Sequence, residues 1–122
     1  GDKTLKLSRS ELIEAAKITE KQLTELENSG LVVIRGRYYD GDALAISKIV
    51  SELSAYGIEV RHLRSFKTAA EREVSLIDQV TAPLAKQRGA ESAARAQEVE
   101  KELAALSVKL HASLISAALN KN

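Results

Sequence analysis

The stretch Ser8-Arg9-Ser10-Glu11-Leu12-Ile13-Glu14-Ala15-Ala16-Lys17-Ile18-Thr19-Glu20-Lys21-Gln22 holds two helix starts in fifteen residues. In each, a hydroxyl residue stands three positions before a side chain that can reach back to it, Ser8 before Glu11 and Thr19 before Gln22. These are capping boxes, in which each partner satisfies a backbone amide left free at a helix start. The first predicts a short helix over about 9–16 with Leu12, Ala15 and Ala16 on one face. The second predicts a helix over about 20–29 with Leu23 and Leu26 three apart. Gly30 supplies the left-handed residue that closes many helices. Two helices joined by so short a turn predict a helix-turn-helix.

Beyond it, Leu31-Val32-Val33-Ile34 is β-branched and short, and Arg35-Gly36 separates it from Arg37-Tyr38-Tyr39, which predicts a small hairpin. Asp40 or Asp42 caps a third helix over about 43–56, carried by Leu44, Ile46, Ile49, Val50 and Leu53 and ended by Gly57. Helix, turn, helix, hairpin, helix is winged-helix order. From Ile58 to Arg88 the spacing of Leu63, Phe66, Ala70, Val74, Ile77, Val80 and Leu84 is helical, with a break or kink expected at Pro83. Past Gly89, a long helix is expected over about 91–119. Val99, Leu103, Leu106, Leu110 and Leu114 form one apolar stripe on it, and Ala104, Val108, Ala112, Ile115 and Leu119 form another. A helix resting on one neighbour needs one stripe, so two point to burial between two neighbours, one of which can be a second copy of the chain.

The expected fold is therefore mainly α, a winged helix-turn-helix-like unit with a small β-hairpin followed by two long antiparallel helices. Residues 1–7 read as a leader or a remnant of preparation, 8–60 as a winged-helix-like subdomain, and 61–122 as a helical dimerisation and effector subdomain, together one compact domain. A chain of 122 residues has room for little more. It opens with Gly1 rather than Met, which suggests a piece of a longer protein. Alanine and leucine, at 18 and 16 copies, supply a helix-forming core. No uninterrupted apolar run approaches the roughly 20 residues of a membrane span, and no membrane partner is expected. The absence of cysteine removes thiolate metal sites, cysteine nucleophiles and disulfides, and is compatible with a cytoplasmic setting.

No nucleophile with its base, no carboxylate pair and no phosphate loop stands out, so neither an enzyme nor a cofactor is expected. His62 and His111 have no Asp or Glu at ligand spacing, so no metal is expected. Eighteen Lys and Arg against 17 Asp and Glu leave a net charge of +1, too little to hold nucleic acid in bulk. The second helix, which reads DNA in winged helices, carries Glu20, Lys21, Glu25 and Glu27 and repels phosphate. Arg61, His62, Arg64, Lys67 and Arg72 crowd the start of the fourth helical region, where they could bind an anion or form a solvated face. Tyr38 and Tyr39 could line a pocket or anchor the wing.

The runs Ala16-Lys17-Ile18-Thr19-Glu20-Lys21-Gln22-Leu23, Glu27-Asn28-Ser29-Gly30-Leu31, Arg37-Tyr38-Tyr39-Asp40 and Ala55-Tyr56-Gly57-Ile58-Glu59 resemble the winged helix-turn-helix of mercury-resistance-type (MerR) transcriptional regulators. Members of that family carry a basic and aromatic trio where this chain has Thr24, Glu25 and Leu26, a departure that argues against DNA contact through this helix. The stretch Tyr56 to Arg64, then Ala70-Glu71-Arg72-Glu73-Val74, Ala82-Pro83-Leu84-Ala85 and Ala104 to His111, looks like the C-terminal half of an actinobacterial MerR-type regulator associated with cell division. That resemblance implies a second, winged-helix-like domain for dimerisation and effector sensing, with DNA bound by a preceding domain. The apolar stripes put the expected homodimer contact at Leu103, Leu106, Leu110, Leu114 and Ile115, and the tyrosines and the basic cluster make Tyr38, Tyr39, Arg61, His62, Arg64 and Arg72 the candidates for an unidentified effector. Two other readings stay open: direct DNA contact through Arg35, Arg37 and the Arg61–Arg72 group, and a protein-interaction adaptor.

Overall fold

The computed structural model describes residues 4–121. They form α1 (Arg9–Ala16), α2 (Glu20–Asn28), α3 (Gly41–Ser54), a short 3-10 helix (Val60–Leu63), α4 (Arg64–Ala85) and α5 (Ala90–Leu119). The chain falls into two compact units divided within α4, between Lys67 and Thr68.

Both capping boxes form. Ser8 Oγ accepts from Glu11 N at 3.2 Å while Glu11 Oε1 accepts from Ser8 N at 2.8 Å. Thr19 and Gln22 repeat the exchange at 3.0 and 2.8 Å. Between the two helices Lys17 takes the left-handed conformation at φ 58°, which turns the chain so that the next residue, Ile18, is buried. Asp40, the first of the two expected caps, accepts from Ala43 N at 3.0 Å and starts α3. Leu12, Ala16, Leu23, Leu26, Val32, Ala43, Val50, Val60 and Leu63 then close one core. Each buried leucine in it contributes about 1.5–3 kcal/mol.

The expected hairpin wing is absent, and with it the winged architecture. Among the described residues there is no strand and no sheet, so the fold is mainly α without a β element. The β-branched run is spent closing α2 instead. Leu31 N and Val32 N both donate to Leu26 O, at 3.0 and 3.2 Å, and this turns Val32 into the core while Val33 and Ile34 stay exposed. Arg35 and Tyr38 then form a tight turn, with Arg35 N donating to Tyr38 O at 2.9 Å. The next residue, Tyr39, pairs not with the preceding run but with Leu7, through bonds of 2.8 and 2.9 Å. Asp40 begins α3 at once, so no second strand has room to grow.

The fourth helical region starts later than its periodicity predicts, as a 3-10 turn at Val60, and α4 ends at Ala85, two residues after Pro83. Pro83 lacks the amide hydrogen that would bond to the Gln79 carbonyl, and the helix runs only two residues beyond it. In the second unit the rest of α4 and α5 run back alongside each other. Of its described residues only Thr81 and Ala96 are buried.

Candidate functional site

In the first unit, Tyr39 is 1% exposed. Its hydroxyl donates to Glu27 Oε2 at 2.9 Å and accepts from Arg9 Nη1 at 3.0 Å. The same guanidinium reaches Glu27 Oε1 and Glu20 Oε1, both at 2.5 Å, and Thr24 Oγ1 at 3.0 Å. Glu20, Thr24 and Glu27 share one face of α2 because they stand four and three residues apart. The hydrogen bonds to Glu27 and then Glu20 hold Arg9 well above its ordinary pKa. Burial, then the bond to Glu27, pushes the Tyr39 phenol up. The acidic residues that would repel phosphate from α2 are thus largely occupied by Arg9. Sequence reasoning missed this cluster, whose members lie up to thirty residues apart.

Tyr38, about half exposed, lines with Tyr39 a cleft of about 560 Å³ that also includes Arg35, Arg37 and Asp42. Arg35 is tied there to Asp40 at 3.3 Å. That bond and, more strongly, the bond from Ala43 N hold the Asp40 carboxyl below its ordinary range. Arg61 and Arg64 line a different cleft of about 420 Å³, with Lys21 and Glu25 of α2 and Glu59. His62 is held beside it by Glu59 N, which donates to its Nδ1 at 2.9 Å. Four of the six effector candidates are therefore split between two clefts of the first unit, Tyr38 and Tyr39 in one and Arg61 and Arg64 in the other, while His62 lines neither and Arg72 belongs to the second unit. Among the described residues no three of His, Asp and Glu cluster to hold a metal ion.

The second unit carries a different surface. Leu76, Ile77 and Val80 of α4 and Leu103, Leu106 and Leu110 of α5 line a groove of about 320 Å³, with Glu73 and Ser107. Leu76, Val80, Leu106 and Leu110 are 50–61% exposed. Leu114 and Ile115 are similarly exposed, whereas Leu103 is half-buried. Two helices have only one shared seam in which to bury side chains, so residues flanking it remain in water. Contiguous apolar surface of this kind marks interaction sites on soluble proteins. Glu73, which lines the groove, also meets His111 Nε2 through its Oε1 at 2.5 Å. By length and composition alone, α5 could also cross a membrane, with a mean hydropathy of 1.3 over 18 residues. Of the α4 half of the groove, apolar spacing gave Ile77 and Val80 as helix positions but not Leu76, and did not set them opposite α5.

Residues 5–122 match the protein family described as "Rv1828-like, C-terminal domain". The chain is 38% identical over 116 residues to a protein of Mycobacterium tuberculosis (strain ATCC 25618 / H37Rv) described as "Uncharacterized HTH-type transcriptional regulator Rv1828". It is equally similar to the Mycobacterium bovis protein "Uncharacterized HTH-type transcriptional regulator Mb1859". Each match covers 94% of this chain and 47% of the relative, so the chain spans about half the length of the curated relatives it matches.

Proposed function

The chain belongs to the family of Rv1828-like C-terminal domains, and on that premise we propose that it is the self-association domain of a cytoplasmic bacterial transcriptional regulator. DNA is bound by a part of the regulator outside this chain. The regulator is of the MerR type, in the cell-division-associated subgroup that the sequence resembles. The observation that carries the reading is the half-exposed apolar groove of Leu76, Val80, Leu106 and Leu110. A second copy covers it, and the dimer sets the spacing of two DNA-reading heads.

Effector sensing belongs to the same reading. The cleft beside α2 gathers Lys21, Arg61 and Arg64 with Glu25 and with Glu59, which pairs with Arg61 at 3.5 Å, and an anionic ligand that displaced that carboxylate would bias regulation by its differential affinity for two packings. Direct DNA contact is less well supported, because Arg35 is already tied to Asp40 and α2 presents no net positive charge.

The test is sedimentation velocity over a concentration series, combined with DNA binding as a function of salt. A dimer with little salt-sensitive DNA affinity upholds the reading. A monomer overturns it, and a monomer whose DNA binding falls steeply with salt points to direct contact.

A further inference from the structure

From the tip of the first unit we infer that the half of the regulator that precedes this chain docks on Val33, Ile34 and Tyr38. This rests on the reading above that DNA is bound by a part outside the chain, and adds where that part is held. Val33 and Ile34 lead into the turn in which Arg35 N donates to Tyr38 O at 2.9 Å, so the three apolar side chains share one tip. They are 54%, 41% and 45% exposed. Their neighbours Val32 and Tyr39 take the inward places, at 2% and 1%, which leaves these three no room in the unit's own core. Apolar side chains standing singly in water need no account, but three on one turn form a patch of the kind that takes a partner.

The path of the chain brings the occupant there. Leu7 is tied to Tyr39 by backbone bonds of 2.8 and 2.9 Å, and Leu5 and Lys6 line the cleft beside the turn with Arg35, Arg37 and Tyr38. Anything joined ahead of Thr4 therefore starts within about 10 Å of Leu7, the reach of three extended residues. The matched relatives carry about half of their length outside the segment that this chain covers, and the family is that of a C-terminal domain, so that half comes first. Three side chains bury far less than the roughly 1,000 Å² that a free-standing interface needs. A tether makes up the difference, because it presents the joined surface at about millimolar concentration. Charge sets which side docks. The tip carries Lys6, Arg35 and Arg37 against Asp40 and Asp42, three positive groups less two negative, and a DNA-reading surface has to be positive. The two repel, so the preceding half turns its apolar side to the tip and keeps its DNA-reading surface free.

The test uses the full regulator with a site-specific protease sequence inserted ahead of residue 1, and methyl NMR of Val33 and Ile34 against Ile49, which is 55% exposed on α3. In the uncut protein the Val33 and Ile34 methyls should be shifted from their places in the 122-residue chain. Cutting at roughly ten micromolar, about a hundredfold below the concentration that the tether sets, should return them. The Ile49 methyl should hold its place throughout. Val33→Ser with Tyr38→Ser, both at exposed positions, should leave circular dichroism that of the wild type and Ile34 the same before and after cutting. Shifts that outlast cutting uphold the docking and make it tighter than the tether requires. Val33 and Ile34 signals that are the same in the uncut protein as in the 122-residue chain overturn the docking, and DNA binding by the uncut protein then leaves the reading above standing. Signals that move instead with the concentration of the 122-residue chain alone assign the tip to a second copy and overturn it too. An uncut protein that binds no DNA overturns both.

Discussion

The hydroxyl of Tyr39 lies 2.9 Å from Oε2 of Glu27, with the Arg9 guanidinium bridging the two side chains. One phenol thereby joins the end of α2 to the residue before the α3 cap, and α1 is tied to both. Tyr39→Phe keeps the ring in the core but removes this link, and should cost about 1 kcal/mol in urea denaturation at pH 7. The phenol's folded pKa is raised above its unfolded value near 10, so its stabilising effect is complete below that pH and lost as pH rises through the folded value. Wild-type stability should therefore fall above about pH 10 more than that of Tyr39→Phe.

Asp40 titrates in the opposite sense. The Ala43 amide and then Arg35 lower its folded pKa, so the cap stabilises α3 above the unfolded value near 4 and fades as pH falls toward the folded one. Asp40→Ala should cost about 1 kcal/mol at pH 7 and progressively less below pH 4. A cost that stayed constant from pH 7 to pH 2.5 would remove the charge part of this account.

Ser47 is fully buried in α3, and its Oγ has no hydrogen-bond partner. Ser47→Ala removes the unpaired hydroxyl and raises helix propensity, so the melting temperature should rise by about 4 °C, the equivalent of about 1 kcal/mol. A fall would mean that the hydroxyl is satisfied in solution.

Gly30 and Gly36 both lie at positive φ, 78° and 69°. A Cβ on Gly36 would meet open space, whereas one on Gly30 would come 2.9 Å from Lys67 Cε. Each alanine substitution should cost about 1 kcal/mol for the left-handed backbone. Gly30→Ala should cost a few tenths of a kcal/mol more, because the end of the Lys67 chain must move. Equal melting shifts would show that it moves freely.

Leu106 and Ile115 stand nine residues apart on α5, which at 3.6 residues per turn places them on opposite sides. One flat interface cannot take both. Leu106→Asp should weaken self-association at least roughly thirtyfold, as loss of a central anchor does, while Ile115→Asp leaves it nearly unchanged. Sedimentation of the two variants decides between the faces, and the reverse order would move the interface to the Val108 and Leu119 side.

What could be read without coordinates was local. Ser8 with Glu11 and Thr19 with Gln22 fall within three residues, and both boxes formed as expected. β propensity alone points to a hairpin at Leu31–Ile34, but Leu31 and Val32 are held by the end of α2 and Tyr39 pairs with Leu7. Periodicity on α5 singled out Leu103, Leu106 and Leu110, which line the groove. On the α4 wall it gave Ile77 and Val80 but not Leu76, which lies beside the main stripe, and it was silent on Arg9, whose partners are brought near only by folding.

With only Thr81 and Ala96 buried beyond Lys67, the final helix pair has far less holding it closed than the core around Leu12 and Leu23. Such a segment opens locally at a small fraction of the free energy that unfolds its better-packed neighbour. Proteases that act on opened chain would meet it first, so the lifetime of the whole polypeptide is governed by the part beyond Lys67. Whatever covers that face lengthens the lifetime, and copies left uncovered are the first to be cleared.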